Sequence, residues 1–270
     1  MKLCEFYKII NEIAPKALSD EYCEKYGAYD NSGILVDAGE EITGVVFSLD
    51  LTFAAIDKAI QNKANLIVTH HPAIYGKIDG IRAGDFEPLG EKLVVALKNG
   101  ISVISMHLNL DAAAGGIDES LAQGVCLSAG AGTRSMQNVG IMHPLSLGGY
   151  GRAYDVEKTS MERLIENIKK TFKTESVCVY GKKKEIGRVA SFCGSGADAE
   201  SVAFAYAQGA DAIISSDFKH HVITLALEKN LTVITLTHYA SENYGFEKYY
   251  QKIRQSIALP CAYHTDEILL

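Results

Sequence analysis

The stretch Ala64-Asn-Leu-Ile-Val-Thr-His-His-Pro72 begins as a short apolar run and ends in two histidines and a proline. Apolar runs of this length, without polar alternation, are typical of strands that a parallel sheet buries on both faces. A similar run, Ala210-Asp-Ala-Ile-Ile-Ser215, occurs in the second half of the chain. The sequence around both runs therefore predicts the fold.

Strand-like and helix-like segments alternate on either side of each run. In the first half we predict strands at 44–49, 65–69 and 101–106, with helices from about 53 and at 91–98. In the second half we predict strands at 188–193, 211–216 and 231–236, with helices at 198–208 and 221–229. This βαβαβ order predicts an α/β fold of two repeats with mainly parallel sheets and helices on their faces.

The division predicted from this repetition is a first repeat at 1–130, followed at 131–270 by a connecting subdomain and the second repeat. Duplication is favoured because two strands, and the helix end between them, agree in order. Chance similarity is the alternative, because all buried strands are rich in valine and isoleucine.

Composition narrows the classes of partner and compartment. The 270 residues carry a net charge of -7, and Lys182-Lys183-Lys184 is the one short basic cluster, which argues against nucleic acid as a partner. No stretch approaches the roughly 18 apolar residues of a membrane span, and the N-terminus lacks the apolar core of a signal peptide. We predict a cytoplasmic protein with no membrane association, whose six cysteines are buried free thiols.

Histidines and carboxylates follow the predicted strands at their carboxyl ends. Ligands of open parallel sheets collect at this edge, because loops and helix N-termini meet there. The residues concerned are His70, His71, His107, Asp111, Asp217, His221, His238 and Glu242.

Two spacings among these residues favour metal binding. The side chains of His70 and His71 diverge from neighbouring positions, so each can serve a different ion of a dinuclear site. His238 and Glu242 have the i, i+4 spacing that places both on one face if a helix begins near Tyr239. The alternatives are a hydrogen-bonded structural histidine in the first case and a solvent-facing pair in the second.

The donor types favour an open site for two divalent ions. Imidazole and carboxylate groups suit Zn²⁺, which we favour, or Fe²⁺ or Mn²⁺, and the lack of nearby cysteine argues against a closed structural zinc site. Of the remaining candidates, His107, Asp217 and His221 orient the ligands or act as general acid or base. Orientation is the favoured role for His107, and both roles stay open for His221.

Two glycine-containing turns are candidate anion sites. Asp30-Asn-Ser-Gly33 precedes the first repeat, and Gly194, Ser195 and Gly196 close a strand before a helix, where backbone N–H groups can meet a phosphate. A simple turn is the alternative in both places.

These motifs together resemble the Nif-three-like family, whose members are often called GTP cyclohydrolase I type 2 homologues. The motifs run in family order across nearly the whole chain, with Ser215-Ser216 in place of the usual Thr-Gly before Asp217. The resemblance implies an α/β fold of two intertwined repeats with a dinuclear metal site between them. It also implies a ring-shaped homohexamer and GTP cyclohydrolase activity. The ligands that it implies are His70, His71, Asp111, His238 and Glu242.

Two classes of function follow from these features. The first is a metal-dependent hydrolase of a nucleotide or a related small phosphorylated compound. The second is a non-enzymatic protein that binds or delivers metal, or acts as a regulator. A nuclease acting on long nucleic acids is disfavoured by the acidic balance.

Overall fold

The computed structural model describes residues 1–78, 80–81, 88–130 and 136–270. The chain forms two compact units. The first comprises Met1–Ala113 and Phe246–Thr265, and the second comprises Ala114–Gly245 and Asp266–Leu270. Each unit contains one β-sheet.

The first unit is built on a five-stranded sheet. Its strands are β1 (Gly33–Val36), β2 (Val45–Ser48), β3 (Leu66–Thr69), β4 (Ser102–Ser105) and β11 (Cys261–Tyr263), in the order β1-β4-β3-β2-β11. Its helices are α1 (Leu3–Ile13), α2 (Lys16–Tyr26), α3 (Phe53–Gln61), α4 (Leu89–Lys98) and α5 (Leu108–Ala112). All strand pairs are parallel except β1 with β4.

The second unit is built on a six-stranded sheet. Its strands are β5 (Gln137–Pro144), β6 (Gly149–Ser160), β7 (Cys178–Tyr180), β8 (Glu185–Ser191), β9 (Ala212–Ser215) and β10 (Thr232–Thr235), in the order β5-β6-β8-β9-β10-β7. Its helices are α6 (Ile117–Ala129), α7 (Met161–Phe172), α8 (Ala199–Ala207) and α9 (His220–Glu228). A last helix, α10 (His238–Ser256), begins in this unit and ends in the first.

The predicted α/β class is confirmed. Strands β2, β3 and β4 of the first half pair in parallel, and so do β8, β9 and β10 of the second half. The antiparallel pairs involve strands outside the two predicted βαβαβ runs, namely β1, the β5–β6 hairpin and β7. The proportion of parallel pairing is therefore lower in the second sheet than the sequence predicts.

Four of the six repeat strands are buried along their whole length, which explains their continuous apolar pattern. All four residues of β2, β3, β4 and β9 are buried. Helices α3 and α4 contribute Ile56, Ala59, Leu93 and Ala96 to the core of the first unit. Burial of this kind is the main favourable contribution to folding.

The strand register places the strand ends of the first sheet side by side. Ser48 is the register partner of Thr69, and Thr69 is the partner of Ser105. The residues that follow these three strands therefore leave the sheet at one edge, which positions the site described below.

Other predictions have mixed outcomes. All six cysteines are free, but only Cys126 and Cys193 are buried, whereas Cys4 and Cys178 are exposed, so the prediction of buried thiols was wrong for these two. Neither repeat boundary is tested, and the division at 130/131 stays a prediction. No helix in the described part of the chain has the length and apolar character needed to cross a membrane.

Candidate metal centre

Three side chains of the first unit form a compact group beyond β3 and β4. One ligand atom from each of His70, His107 and Asp111 lies within 4.8 Å of the others. His70 is fully buried and Asp111 is 4% exposed, and His70 Nε2 lies 3.5 Å from Asp111 Oδ1. Asp111 reaches this place because the short helix α5 begins directly after His107. The N–H of Asp111 donates a hydrogen bond to the His107 carbonyl.

Each histidine of this region uses Nδ1 to bind an oxygen of the protein. His70 Nδ1 lies 2.8 Å from the carbonyl oxygen of Met106, and because a carbonyl only accepts, Nδ1 carries the proton there. His71 Nδ1 lies 2.8 Å from Asp50 Oδ1. His107 Nδ1 lies 2.8 Å from Asp30 Oδ1. In a neutral ring this arrangement places the lone pair on Nε2, as metal-binding histidines require.

Several hydrogen bonds hold the Asp30 carboxylate. Burial alone would raise its pKa, but hydrogen bonds from His107, Ser19 and Ser32 outweigh burial and lower the pKa of Asp30 well below its usual range. Burial in turn works to lower the pKa of His107, but the hydrogen bond to Asp30 and the charge of Asp111 raise it overall. The predicted anion turn at 30–33 thus supplies a carboxylate for His107.

The second unit holds the other predicted ligands. Helix α10 begins at His238, one residue before the predicted start, so that His238 and Glu242 share a face, with 3.1 Å between His238 Nε2 and Glu242 Oε2. His238 Nδ1 lies 2.5 Å from Asp217 Oδ2. Glu242 is 3% exposed, and Asp217 is an exposed residue just beyond β9. The pattern of ring nitrogen and carboxylate is the same as in the first unit.

The turn after β8 packs against Glu242. Gly194 has φ of +55°, and a Cβ atom added there would overlap Glu242 Oε1. The Gly194 N–H donates to Ser241 Oγ, and the Gly194 carbonyl accepts from the hydroxyls of Ser215 and Ser216. The backbone of this turn therefore lies so close to the Glu242 carboxylate that there is no space for a side chain at Gly194.

This internal bonding bears on the predicted anion role of the turn. The Gly196 N–H donates to the Cys193 carbonyl, so that the N–H groups of Gly194 and Gly196 are both used inside the protein. Ser195, between them, is exposed. Anion binding by Gly194, Ser195 and Gly196 stays a prediction, and it now depends on Ser195.

A buried ion pair is hydrogen-bonded to the residue that precedes Gly194 in this turn. Asp118 on α6 is fully buried and accepts hydrogen bonds from Arg152 and from the N–H of Cys193. Arg152 is 2% exposed. Because a buried carboxylate is costly without a charged partner, this pair fixes where Cys193 and the following glycine lie.

One predicted residue stays apart from these groups. His221 is exposed near the start of α9, and its side chain makes no hydrogen bond or ion pair with another described residue. Sequence reasoning also missed Asp50 as the partner of His71. Asp50 follows β2, so the same rule of strand ends that identified the histidines would have found it.

The chemistry of these donors fits a divalent cation. Imidazole nitrogen and carboxylate oxygen are the ligands that zinc, iron and manganese accept, and each histidine here is oriented through its other nitrogen. The central strands of both sheets are parallel, and groups of histidine and aspartate follow the strand ends. These features define an α/β protein with a candidate metal-binding cluster.

Comparison with known proteins identifies the family. The model of the DUF34/NIF3 family (NGG1p interacting factor 3) matches residues 1–265. The chain belongs to this family, and the resemblance inferred from the sequence motifs is confirmed.

Individual relatives agree with this assignment. The chain is 29% identical over 245 residues to the GTP cyclohydrolase 1 type 2 homolog of Clostridium acetobutylicum, covering 90% of this chain and 85% of the relative. The structure of reduced HcgD from Methanocaldococcus jannaschii has a TM-score of 0.78 at 26% identity, with 97% of each chain covered. A Bacillus cereus protein related to NIF3 has a TM-score of 0.80 at 17% identity, covering 97% of this chain and 96% of its own, and shows the shared fold.

Proposed function

We propose that the protein binds two divalent metal ions and uses them to hydrolyse a nucleotide or a related small phosphorylated compound. The observation that carries this proposal is the group His70, His107 and Asp111, whose ligand atoms lie within 4.8 Å of one another. Two of the three are almost fully buried. Buried groups of this polarity are normally paired or bound to metal.

The ligands that we propose are those predicted from the sequence, His70, His71, Asp111, His238 and Glu242. The geometry of the first unit supports adding His107 as a direct ligand, although its sequence position favoured an orienting role. Zinc is the favoured metal, and iron and manganese are the alternatives, because the same donors accept all three.

The roles of the surrounding residues follow from their contacts. Asp30 and Asp50 hold the rings of His107 and His71, and Asp217 holds the ring of His238. Carboxylates in such positions fix the ring orientation and raise the basicity of the coordinating nitrogen. A bound divalent ion would supply activated water at neutral pH. His221, exposed and beyond β9, is the candidate for proton transfer to the substrate.

The substrate class rests on similarity. Relatives such as the Clostridium acetobutylicum protein are named GTP cyclohydrolase 1 type 2 homologs. We therefore propose GTP as the first substrate to test, with other nucleotides beside it.

The test combines metal analysis with an assay of turnover. Wild-type protein and the variants Asp111→Asn and Glu242→Ala are loaded with Zn²⁺, Fe²⁺ or Mn²⁺, freed of excess metal, and analysed for bound metal. Each is then assayed against GTP and a panel of nucleotides. We expect wild type to hold two ions per chain, both variants to lose metal, and turnover to fall by at least about 100-fold with it.

A matched control separates the site from general charge effects. Asp57→Asn removes the same charge from an exposed position on α3 and is expected to keep both metal and turnover. Turnover that survives metal loss would contradict the hydrolase proposal. Full metal occupancy without turnover of any nucleotide would favour metal binding or delivery as the function.

Assembly and location complete the proposal. From the family resemblance we propose a homohexamer in the cytoplasm. Light scattering during gel filtration tests the assembly, with an expected mass six times the 29.3 kDa of one chain.

A further inference from the structure

A row of aromatic rings runs up to the metal-binding group of the first unit. The ring centroids of Tyr29 and Tyr75 are 5.6 Å apart, with planes at 84°. Tyr75 lies 6.3 Å from His107 at 86°, and His107 lies 5.2 Å from His70. The first two of these pairs are edge-to-face, which is a favourable geometry for aromatic rings at such distances.

Exposure changes steeply along this row. Tyr29 is 59% exposed and Tyr75 is 54% exposed, whereas the side chain of His107 is 19% exposed and that of His70 is fully buried. The outer two rings therefore present apolar surface to solvent directly beside the proposed metal ligands. Contiguous apolar surface next to a polar cluster is typical of a ligand-binding site.

The two tyrosines lie on segments that hydrogen bonds hold in place. Tyr29 precedes Asp30, whose carboxylate binds His107, Ser19 and Ser32. Tyr75 follows Ile74, whose carbonyl accepts a 2.6 Å hydrogen bond from Asn31 Nδ2. These bonds connect the backbone of both segments to each other and to the cluster, and the two rings contact each other edge to face. Preorganised aromatic side chains lose little entropy on binding.

We propose that Tyr29 and Tyr75 form a stacking surface for a planar heteroaromatic ring, such as a nucleobase, of a ligand that reaches the metal-binding group. The inference rests on the proposed function, which it deepens by assigning residues that select the substrate. Stacking on aromatic side chains suits such rings because every base has a π-face. The hydroxyl of each tyrosine is not needed for this role.

The test measures ligand binding to the zinc-loaded full-length protein by titration calorimetry. The probes are guanosine, which has the ring, and ribose 5-phosphate, which lacks it. The variants are Tyr29→Leu/Tyr75→Leu, which removes both rings, and Tyr29→Phe/Tyr75→Phe, which keeps them. Tyr206→Leu, at a tyrosine of the second unit that is 58% exposed, is the matched control.

We expect the double leucine variant to raise the Kd for guanosine at least about tenfold, and the phenylalanine and Tyr206 variants to leave it within about threefold of wild type. Binding of ribose 5-phosphate and the zinc content are expected to be the same in all four proteins. Equal guanosine binding in wild type and the double leucine variant would overturn the proposal, and so would absence of guanosine binding to zinc-loaded wild type.

Metal content distinguishes this proposal from the one on which it rests. Loss of zinc in the leucine variant would show that the rings support the cluster rather than a ligand, which also overturns the stacking role. Ring-dependent binding in a protein that turns over no nucleotide would sustain the stacking surface while the hydrolase proposal fails.

Discussion

At the level of single residues, Gly194 is a position where the backbone lies close to a proposed metal ligand. Its φ is positive, and a methyl carbon at this position would overlap Glu242 Oε1, so there is no space for a side chain. Gly209 is a natural comparison, because its φ of +68° carries the same backbone strain while nothing lies within 4 Å of the corresponding position.

We predict that Gly194→Ala weakens metal binding at least about tenfold, because the methyl group displaces the Glu242 carboxylate, and the loss of one ligand exceeds the cost of strain alone. Gly209→Ala is expected to lower stability by about 1 kcal/mol and to leave metal affinity unchanged. Competition with a chromophoric chelator measures the affinity. Equal losses of affinity in both variants would contradict a specific role for the contact.

The carboxylates that hold the histidine rings allow a second prediction at this scale. Asp50→Asn keeps the size of the side chain but removes the charge beside His71 Nδ1. We expect metal affinity to fall about 10- to 100-fold, as when other partners of metal-binding histidines are replaced. Asp57→Asn, exposed on α3, serves as the control. Unchanged metal affinity in Asp50→Asn would contradict the assigned role.

At the level of elements, Asp211 connects the start of β9 with the neighbouring strand β8. Its carboxylate accepts hydrogen bonds from the N–H groups of Gly187 and Arg188, and Lys183 Nζ lies 2.5 Å away. Partial burial works to raise the pKa of Asp211, but these three donors lower it overall. The folded state therefore stabilises the ionised carboxylate of Asp211 more than the unfolded state does.

The sign of the pH dependence follows. A carboxyl whose pKa is lowered by folding contributes stability above its unfolded value, here 3.8, and loses that contribution as the pH falls toward the lowered value. We predict that Asp211→Asn lowers the free energy of unfolding by about 1 kcal/mol at pH 7, discounted for partial exposure, and that the difference from wild type narrows below about pH 4. Urea unfolding at several pH values measures it. A difference that grows with acidification would contradict this assignment.

At the level of the whole molecule, the six free cysteines differ in their exposure to solvent. Burial raises the pKa of the Cys126 thiol to about 11. Cys4 and Cys178 are exposed, on α1 and at the edge strand β7. The thiolate is the reactive form of cysteine, so the burial of Cys126 and its raised pKa both slow its reaction.

We predict that native protein at pH 8 labels with iodoacetamide first at Cys4 and Cys178, and that Cys126 labels at least about 100-fold more slowly until the protein is unfolded. Peptide mass mapping over time measures the rates. Labelling of Cys126 at the rate of Cys178 in native protein would contradict the buried position of α6.

The sequence predicted those features of this protein that depend on residues close together in the chain. Strands such as Leu66–Thr69 and Ala212–Ser215 are visible because a strand buried on both faces needs a continuous apolar run. The spacing of His238 and Glu242 predicted a shared helix face in the same way. The short strand β11 and the strand β5, which has no buried residue, escaped prediction, because one has only three residues and the other lacks an apolar pattern.

The tertiary structure alone decided which partners the histidines have. Asp30 and His107 are 77 residues apart in the chain, and His71 and Asp50 are 21 apart, so no local pattern couples them. The same holds for Tyr29, which meets Tyr75 only through the folding of two loops. Local apolar periodicity reports burial within one element, whereas contacts between side chains depend on where the sheet places the ends of different strands. The sequence by itself therefore determined the α/β class and the candidate ligands, and only the fold determined how each ligand is oriented.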